Sequence, residues 1–294
     1  MLHGWIILDK PLGLGSTTAV SAVKRILLQA GEPKTKVGHG GTLDPLASGV
    51  LPIALGEATK VAGRMLDATK QYAFTIRFGE ETDTLDAEGQ LVATSAVIPT
   101  ADQVQAILTQ FTGKISQVPP TYSALKIDGK AAYARVRAGE TVAIKPRTVT
   151  VHELRLASAS GNEASLVATV SKGTYIRSLA RDIAHALGTV GHVTYLRRTH
   201  AGPFGLEQAI SLDFLEEAAK ARDLTRAVLP LEAALDDIPA LPVNPDQAQL
   251  LRHGQRLSGF PARPGLSLVT LEGTPVALVE ALADGLRVVR GFNL

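Results

Sequence analysis

The chain has 294 residues, of which 45% are apolar and 20% are charged, and its formal net charge is +2. This composition predicts a folded protein with a sizeable core and excludes an intrinsically disordered chain. The lack of cysteine excludes disulfides, thiolate catalysis and cysteine-ligated metals, and no apolar run is long enough to span a membrane, so we expect a cytoplasmic protein.

Apolar residues recur at helical spacing in four segments, each of which follows a capping residue or a glycine. In the second segment, Thr100 and Gln103 form a capping box. The predicted helices are bounded by Ser16 or Thr17 and Gly31, by Thr100 and Gly113, by Gly173 and Gly188, and by Ser211 at the start of the fourth.

Strict alternation of apolar residues predicts a half-buried strand at Tyr72–Phe78. Residues 149–157 and 166–171 are rich in β-branched residues and predict further strands. Because strands and helices intermix without a regular β-α-β repeat, the pattern indicates an α+β domain around a mixed or antiparallel sheet rather than a doubly wound parallel sheet.

The sequence becomes rich in proline near residues 229–245, which indicates a junction between domains. A short predicted helix at residues 247–252 is followed by short strands that are separated by glycine turns. We therefore expect a large α+β domain over residues 1–234 and a small all-β domain over residues 235–294.

Two segments are locally basic and carry tyrosines. Residues 121–150 contain six lysines or arginines against Asp128 and Glu140, and residues 172–198 contain five against Asp182. Cations neutralise phosphates and aromatic rings stack on bases, so both segments suit an RNA with exposed bases. Two solvated charged faces explain the same composition equally well.

The densest motif is the segment Gly38–Gly49, in which five of the twelve residues are glycine or proline. This composition indicates a tightly folded loop, and the apolar run at residues 50–55 predicts a buried strand or helix after it. Asp44 lies in the loop between Leu43 and Pro45. An isolated Asp-Pro usually forms a simple turn, whereas a carboxylate in an apolar pocket beside a cation can serve as a nucleophile.

Three other kinds of chemistry find little support in the sequence. His39-Gly-Gly resembles the oxyanion segment of lipases, but the G-x-S-x-G nucleophile motif of those hydrolases is missing. No phosphate-binding P-loop occurs, and neither the acidic residues at 83–88 nor the seven histidines follow a metal-binding spacing. We therefore expect a reaction without metal or cofactor.

Seven motifs stand out along most of residues 4–200. They are Lys10-Pro11, Gly38–Lys60, Lys70–Tyr72, Thr82–Asp86, Pro119–Lys126, Lys172–Arg177 and Tyr195–Arg198. Together they resemble the motifs of the TruB family of tRNA pseudouridine synthases, and they follow one another in the family's order. The C-terminal segment resembles, more weakly, the RNA-binding PUA domain that follows the catalytic domain in this family.

The resemblance implies an isomerase that converts the T-arm uridine at position 55 of tRNA to pseudouridine. The uracil is detached at nitrogen 1, rotated and rejoined through carbon 5, without a cofactor. The implied fold is a pseudouridine-synthase domain with a largely antiparallel central sheet flanked by helices, plus a PUA-like domain. The implied partner is tRNA, and we expect a monomer without an obligate protein partner. The alternative is a tRNA-binding folding factor with incidental activity.

The resemblance also assigns roles to residues of the motifs. Asp44 corresponds to the catalytic carboxylate, Arg177 to its ion-pair partner, and Tyr72 to the aromatic residue against the uracil. An arginine fork can hold a carboxylate through two parallel hydrogen bonds, which a lysine cannot do. Tyr175 and Leu196 are implied to line the uracil pocket.

Further substrate contacts are implied around this pocket. Lys10 is expected close to the uracil site, and His39 is expected to press against the RNA where the uridine leaves its stack. Residues 121–147 resemble the family's mobile loop, which closes on the T arm. The family usually has alanine before the second arginine of this loop, where this chain has Val136. The identity of the arginine that contacts RNA therefore stays open. The phosphate-binding candidates are Lys126, Lys130, Arg135 and Arg137.

Overall fold

The computed structural model describes residues 1–123, 125–127, 129–132, 135, 138–140 and 142–294. The strands are β1 Gly4–Lys10, β2 Val37–His39, β3 Ala47–Leu55, β4 Lys70–Phe78, β5 Glu80–Thr82, β6 Leu91–Thr94, β7 Gly113–Gln117, β8 Lys126–Ile127, β9 Lys130–Ala131, β10 Arg147–Ser160, β11 Glu163–Val170, β12 Gly191–Ala201, β13 Phe204–Gly205, β14 Ala240–Pro242, β15 Leu257–Ser258, β16 Gly265–Leu271, β17 Thr274–Leu282 and β18 Gly285–Gly291.

The helices pack on two main sheets. They are α1 Ser16–Gln29, α2 Ala62–Asp67, α3 Ala101–Ile107, α4 Ile176–Ala186, α5 Leu212–Lys220 and α6 Pro245–Arg252. Short 3₁₀ turns cover Gly56–Lys60, Leu108–Phe111, Leu206–Gln208, Leu224–Ala227 and Leu231–Ala234. Among the described residues, none of these helices has the length and apolar character that crossing a membrane requires.

The large sheet has the strand order β1-β3-β12-β4-β11-β10-β7, with β2 paired to β3 and β13 paired to β12. β3 and β12 run parallel, whereas the other neighbouring pairs described in this sheet are antiparallel. The sheet is thus mixed and largely antiparallel, which confirms the predicted α+β class. β12 lies between the β1–β3 pair and the other long strands.

One face of the large sheet carries two groups of helices. α1 and α5 pack over β1 and β3, where Ile6, Leu51 and Ile53 are fully buried. α3 and α4 pack over β4 and β11 in a second apolar cluster. Tyr72 and Leu196 contact both clusters. The seam between the two helix groups therefore runs over these two residues.

The C-terminal domain is a five-stranded sheet with the order β14-β16-β17-β18-β15, packed against α6. It confirms the small β domain that the glycine turns predict. Its residues Leu268, Leu278 and Phe292 join Trp5 in one apolar cluster, on the face of the large sheet opposite α1. The two domains share this core, and the boundary near residue 234 stays a prediction.

Local signals explain most of the helix starts. Thr100 completes the predicted capping box of α3, and Ser211 caps α5. The N-cap of α1 is Gly15, without a side-chain hydrogen bond, so the prediction that Ser16 or Thr17 caps this helix is wrong. The physical reason is that the hydroxyl of Ser16 is already bonded to a neighbouring loop.

Candidate active site

The segment Gly38–Gly49 comprises the end of β2, a connecting loop of residues 40–46 that carries Asp44, and the start of β3. The hydroxyl of Ser16 donates to the carbonyl oxygen of Leu43 and accepts from its backbone nitrogen, both at 2.8 Å. On the other side of Asp44, the carbonyl oxygen of Pro45 accepts from the backbone nitrogen of Gly13 at 2.8 Å. The residues on both sides of the carboxylate are therefore fixed to α1 and to the turn that precedes it.

Asp44 and Arg177 form an ion pair across the site. The distance from Oδ2 of Asp44 to Nη2 of Arg177 is 2.8 Å. Arg177 lies in the first turn of α4, and its side chain is 6% exposed, whereas that of Asp44 is 39% exposed. The guanidinium is thus buried behind the carboxylate, which is the arrangement needed to orient a carboxylate toward a substrate.

A second carboxylate shares the guanidinium of Arg177. Oδ2 of Asp86 lies 3.2 Å from Nη1 of Arg177, and Oδ1 of Asp86 accepts from the hydroxyl of Thr84 at 2.5 Å. The same guanidinium donates to the carbonyl oxygens of Thr84 and Tyr122 at 2.8 and 2.9 Å. These acceptors fix the plane of the guanidinium and hence the direction in which it holds Asp44.

Asp86 is absent from the predicted site residues, although it ends the motif Thr82–Asp86. Leu85, just before it, has a φ of 63°, which is uncommon for a residue other than glycine. The carbonyl oxygen of Leu85 accepts from the backbone nitrogen of Val193 on β12 at 3.0 Å. The turn that presents Asp86 is therefore fixed by a strand far away in sequence, and no local signal could have revealed its contact with Arg177.

A cavity of about 240 Å³ borders the carboxylate of Asp44. Tyr72, Tyr175 and Leu196, the three residues predicted to border the uracil, all line this cavity. It lies on the seam between the two helix groups. Within the described residues, no group of three His, Asp or Glu side chains could hold a metal ion. The lining consists of Thr42, Leu43, Asp44, Ala47, Tyr72, Leu125, Thr174, Tyr175, Ile176, Arg177 and Leu196.

Tyr175 is held in place through both its backbone and its ring. The side-chain amide of Gln117 accepts from the backbone nitrogen of Tyr175 at 2.8 Å and donates to its carbonyl oxygen at 3.1 Å. The guanidinium carbon of Arg147 lies 4.8 Å from the centre of the tyrosine ring, within the range of a cation–π contact. The ring is therefore a fixed wall of the cavity.

Lys10 is fully buried beside the loop and is not part of the cavity lining. Its ammonium donates to the carbonyl oxygens of Leu14, Pro11 and Pro45 at 2.5, 3.1 and 3.4 Å. Burial lowers the pKa of Lys10 to about 8, although the negative charge of Asp44 opposes the shift. The structure thus places Lys10 beside the loop of Asp44 and directs its charge to the backbone, and its expected contact with the uracil stays a prediction.

His39 ends β2 and is half-buried at the start of the loop. Its Nδ1 accepts from the backbone nitrogen of Gly41 at 3.4 Å. Burial, together with the positive charge of Arg198, lowers the pKa of His39 below its ordinary value of 6.5. The imidazole is therefore neutral at pH 7, which suits stacking against a base better than pairing with a phosphate.

The predicted RNA-binding loop at residues 121–147 is described only in part. Arg137 lies outside the described residues, as do the side chains of Lys126 and Lys130, so their contacts with phosphates stay predictions. β8 and β9 pair as a short hairpin, and Arg135 forms an ion pair within the segment. Leu125 lines the cavity, so this segment borders the site.

Sequence comparison matches two family profiles to the chain. The profile described as TruB family pseudouridylate synthase (N terminal domain) matches residues 24–176, and that described as tRNA pseudouridylate synthase B C-terminal domain matches residues 177–236. A relative named tRNA pseudouridine synthase B from Zymomonas mobilis is 61% identical over 292 residues, which are 99% of this chain and 96% of the relative. A relative of the same name from Novosphingobium aromaticivorans is 60% identical over an alignment of 299 positions that covers 100% of this chain and 98% of the relative.

Solved structures share the fold of both domains. One, described as an H/ACA RNP bound to a substrate RNA containing 2'-deoxyuridine, superposes with a TM-score of 0.75 at 26% identity, over 99% of this chain and 86% of that chain. Another, a Cbf5-Nop10-Gar1 complex, superposes with a TM-score of 0.74 at 28% identity, over 99% of this chain and 85% of that chain. The complete architecture of this chain therefore has counterparts among solved structures.

Proposed function

The chain belongs to the TruB family of pseudouridine synthases, and from this premise we propose that it converts the T-arm uridine at position 55 of tRNA to pseudouridine, with Asp44 as the catalytic carboxylate. The reaction breaks the bond between uracil nitrogen 1 and ribose carbon 1′ and joins the same ribose carbon to uracil carbon 5, which loses its proton while nitrogen 1 gains one. Substrate and product are isomers, so no co-substrate is consumed. The observation that supports the proposal is the ion pair of Asp44 with Arg177 at the wall of a cavity.

The shape of the cavity bears on how the uridine is presented. A uracil that is stacked in an RNA loop cannot bring its glycosidic bond to Asp44, so the nucleotide has to leave its stack, as in other enzymes that act on a base. Tyr72 and Leu196 offer an aromatic and an aliphatic wall for the displaced uracil. His39 is neutral and lies at the start of the loop, where it can fill the space that the uridine leaves.

The carboxylate of Asp44 is the reactive group in this proposal. Arg177 holds its Oδ2, which leaves Oδ1 for the ribose or the base. Attack on uracil carbon 6, attack on ribose carbon 1′ and assistance to a glycal route all require this carboxylate beside the glycosidic bond. The buried fork of Arg177 supplies the fixed orientation that each of these routes needs.

The tRNA is the partner in this proposal, and no protein partner is required for activity. The basic loop at residues 121–147 borders the cavity through Leu125, so phosphates of the T arm can reach its lysines while the uridine is in the site. The C-terminal domain supplies further contact with the RNA. A loop that closes over the cavity also excludes water from the reacting base.

The test is the release of tritium from tRNA that carries the label at uracil carbon 5, because this hydrogen leaves only when the new carbon–carbon bond forms. The wild-type chain should release it, whereas Asp44→Asn should lose activity by at least about 1,000-fold and retain its affinity for tRNA, since only the charge is removed. Asp236→Asn, a change of the same kind at an exposed residue, should keep full activity.

Three results would contradict the proposal. A rate for Asp44→Asn within tenfold of the wild type would remove Asp44 from the reaction. Release from a transcript with cytidine at position 55 would place the substrate uridine elsewhere in the tRNA. Tight binding without any release by the wild-type chain would instead favour a tRNA-binding folding factor.

A further inference from the structure

Arg198 is a buried cation without a carboxylate partner in the part of the chain that the structure describes. Its side chain lies under the loop that carries Asp44, and the residue is 1% exposed. The guanidinium donates to three backbone carbonyl oxygens: Val50 at 2.7 Å, Gly41 at 3.2 Å and Thr42 at 3.3 Å. Burying an unpaired charge is costly, so these three bonds have to compensate for the lost hydration. A residue that served only to fill space would not need the charge.

The three acceptors of Arg198 belong to one short part of the chain. Two of them, Thr42 and Gly41, lie two and three residues before Asp44, and the third, Val50, lies within β3, the strand that follows it. The carbonyl groups on both sides of Asp44 are held in the same way by side chains from outside the loop. Arg198 binds those of Gly41 and Thr42, Ser16 binds that of Leu43, and Lys10 binds that of Pro45.

The position of Arg198 relative to the loop is set by the backbone. In the parallel pair of β12 and β3, Arg198 lies opposite Gly49. A Cβ atom at Gly49 would lie 2.2 Å from the carbonyl oxygen of Arg198, and Gly49 has a φ of +101°. The two strands approach so closely that only glycine fits at this point. This close contact places Arg198 beside β3, on the edge of the strand where β2 also pairs and from which the loop begins.

We propose that Arg198 is a positioning residue for pseudouridine formation, because it holds the backbone of residues 41 and 42 and thereby keeps Asp44 directed at the cavity and at Arg177. This inference rests on the function proposed above. Arg198 does not line the cavity, so its role in the proposal is to hold the loop and not to bind the substrate. It differs from Arg177, which holds the carboxylate itself, since Arg198 holds the chain that carries the carboxylate.

The rate of a single turnover at saturating tRNA, measured by tritium release, separates this role from RNA binding. In Arg198→Met the rate should fall about 100-fold, the loss expected for a reacting group displaced by about 1 Å, while the Kd for tRNA stays within threefold of the wild type. Arg198→Lys keeps the charge but cannot span three carbonyls, so its rate should fall about tenfold. Arg77→Met, which removes an arginine from an exposed ion pair with Glu163, should leave both values unchanged.

Hydrogen exchange of the loop peptide at residues 38–50 provides a second measurement that does not depend on activity. Arg198→Met should exchange this peptide at least about tenfold faster than the wild type, with no change in β16 and β17 of the other domain. A folded Arg198→Met variant with a turnover rate within threefold of the wild type, or with unchanged loop exchange, overturns the proposal. If this variant does not fold, Arg198→Lys decides by the same two measurements. If the wild-type chain releases no tritium, the proposed function is refuted but the role of Arg198 is not. Hydrogen exchange of the loop peptide then decides whether Arg198 holds the loop.

Discussion

Replacing Asp86 by asparagine removes one of the two negative charges on Arg177 while keeping the size of the side chain. Asp86 is 6% exposed, and its Oδ2 lies 3.2 Å from Nη1 of Arg177. The amide oxygen of asparagine can still accept a hydrogen bond, so the turn around Thr84 should persist. The guanidinium then loses its charged acceptor on one side and is held there, among the described residues, only by the carbonyl oxygen of Thr84, so its orientation toward Asp44 is less firmly fixed.

The expected size of the effect follows from the bond that is weakened. A hydrogen bond to a charged group contributes about 1.5 to 3 kcal/mol. If this contribution serves to orient Arg177 in the transition state, the rate should fall by roughly 10- to 150-fold, since each 1.4 kcal/mol corresponds to a factor of ten. A second effect has the same sign, because Arg177 would compensate the charge of Asp44 more completely and make it a weaker nucleophile.

The measurement is single-turnover tritium release at saturating tRNA, together with the Tm of each variant. Asp83→Asn is the matched control, because Asp83 lies in the same turn and its carboxylate accepts from the backbone nitrogen of Gln90, at 2.8 Å, instead of pairing with Arg177. Its rate should equal that of the wild type. A rate for Asp86→Asn within threefold of the wild type, in a folded protein, would show that Asp86 does not orient Arg177.

Three further changes have defined outcomes. Arg177→Lys should lower the single-turnover rate by at least about 100-fold without weakening tRNA binding, since one ammonium cannot replace the fork; an unchanged rate would contradict the role of the ion pair. Burial lowers the pKa of Lys70 to about 8 from 10.5, so the unfolded chain binds more protons in this range and the free energy of unfolding should rise from pH 8 to pH 10.5. In Lys70→Met, the free energy of unfolding measured in urea should rise less over this pH range; a rise equal to that of the wild type would show that the pKa of Lys70 is not lowered. Truncation after residue 234 should lower the Tm by roughly 10 °C, because Trp5 loses Phe292 and its neighbours, while tritium release persists at high enzyme concentration; calorimetry that shows an unchanged Tm would contradict the shared core.

The sequence is sufficient to predict those features that depend on neighbouring residues. The capping box at Thr100, the alternating strand at Tyr72 and the rigid loop around Asp44 each follow from residues a few positions apart. The pairing of Asp44 with Arg177 came from the family resemblance, and the 2.8 Å contact agrees with it. Local patterns alone do not connect two residues that are so far apart in the chain.

The two contacts that the sequence did not predict, those of Arg198 and Asp86, both depend on β12. Its pairing with β4 shifts register between Val193 and Tyr195 and again between Arg198 and His200. Each shift moves the following side chains to the other face of the sheet, so the apolar alternation that marks a strand is lost. The contact of Arg198 with the loop depends on this irregular strand, and that of Asp86 with Arg177 depends on a turn which β12 fixes. Neither contact can be predicted from the spacing of residues along the sequence.

The order of strands in the large sheet also determines when the sheet can form while the chain is being synthesised. β1 and β3 leave the ribosome early, but they join β4 only through β12, which emerges after residue 190. Until then the edge of β3 at residues 47–49 and the edge of β4 that faces β12 have no partner strand, and such edges promote aggregation. Asp44 follows β2 and Tyr72 lies on β4, so the two halves of the site meet only when β12 inserts between them. A nascent chain that stops before β12 therefore carries every residue of the loop and no assembled site.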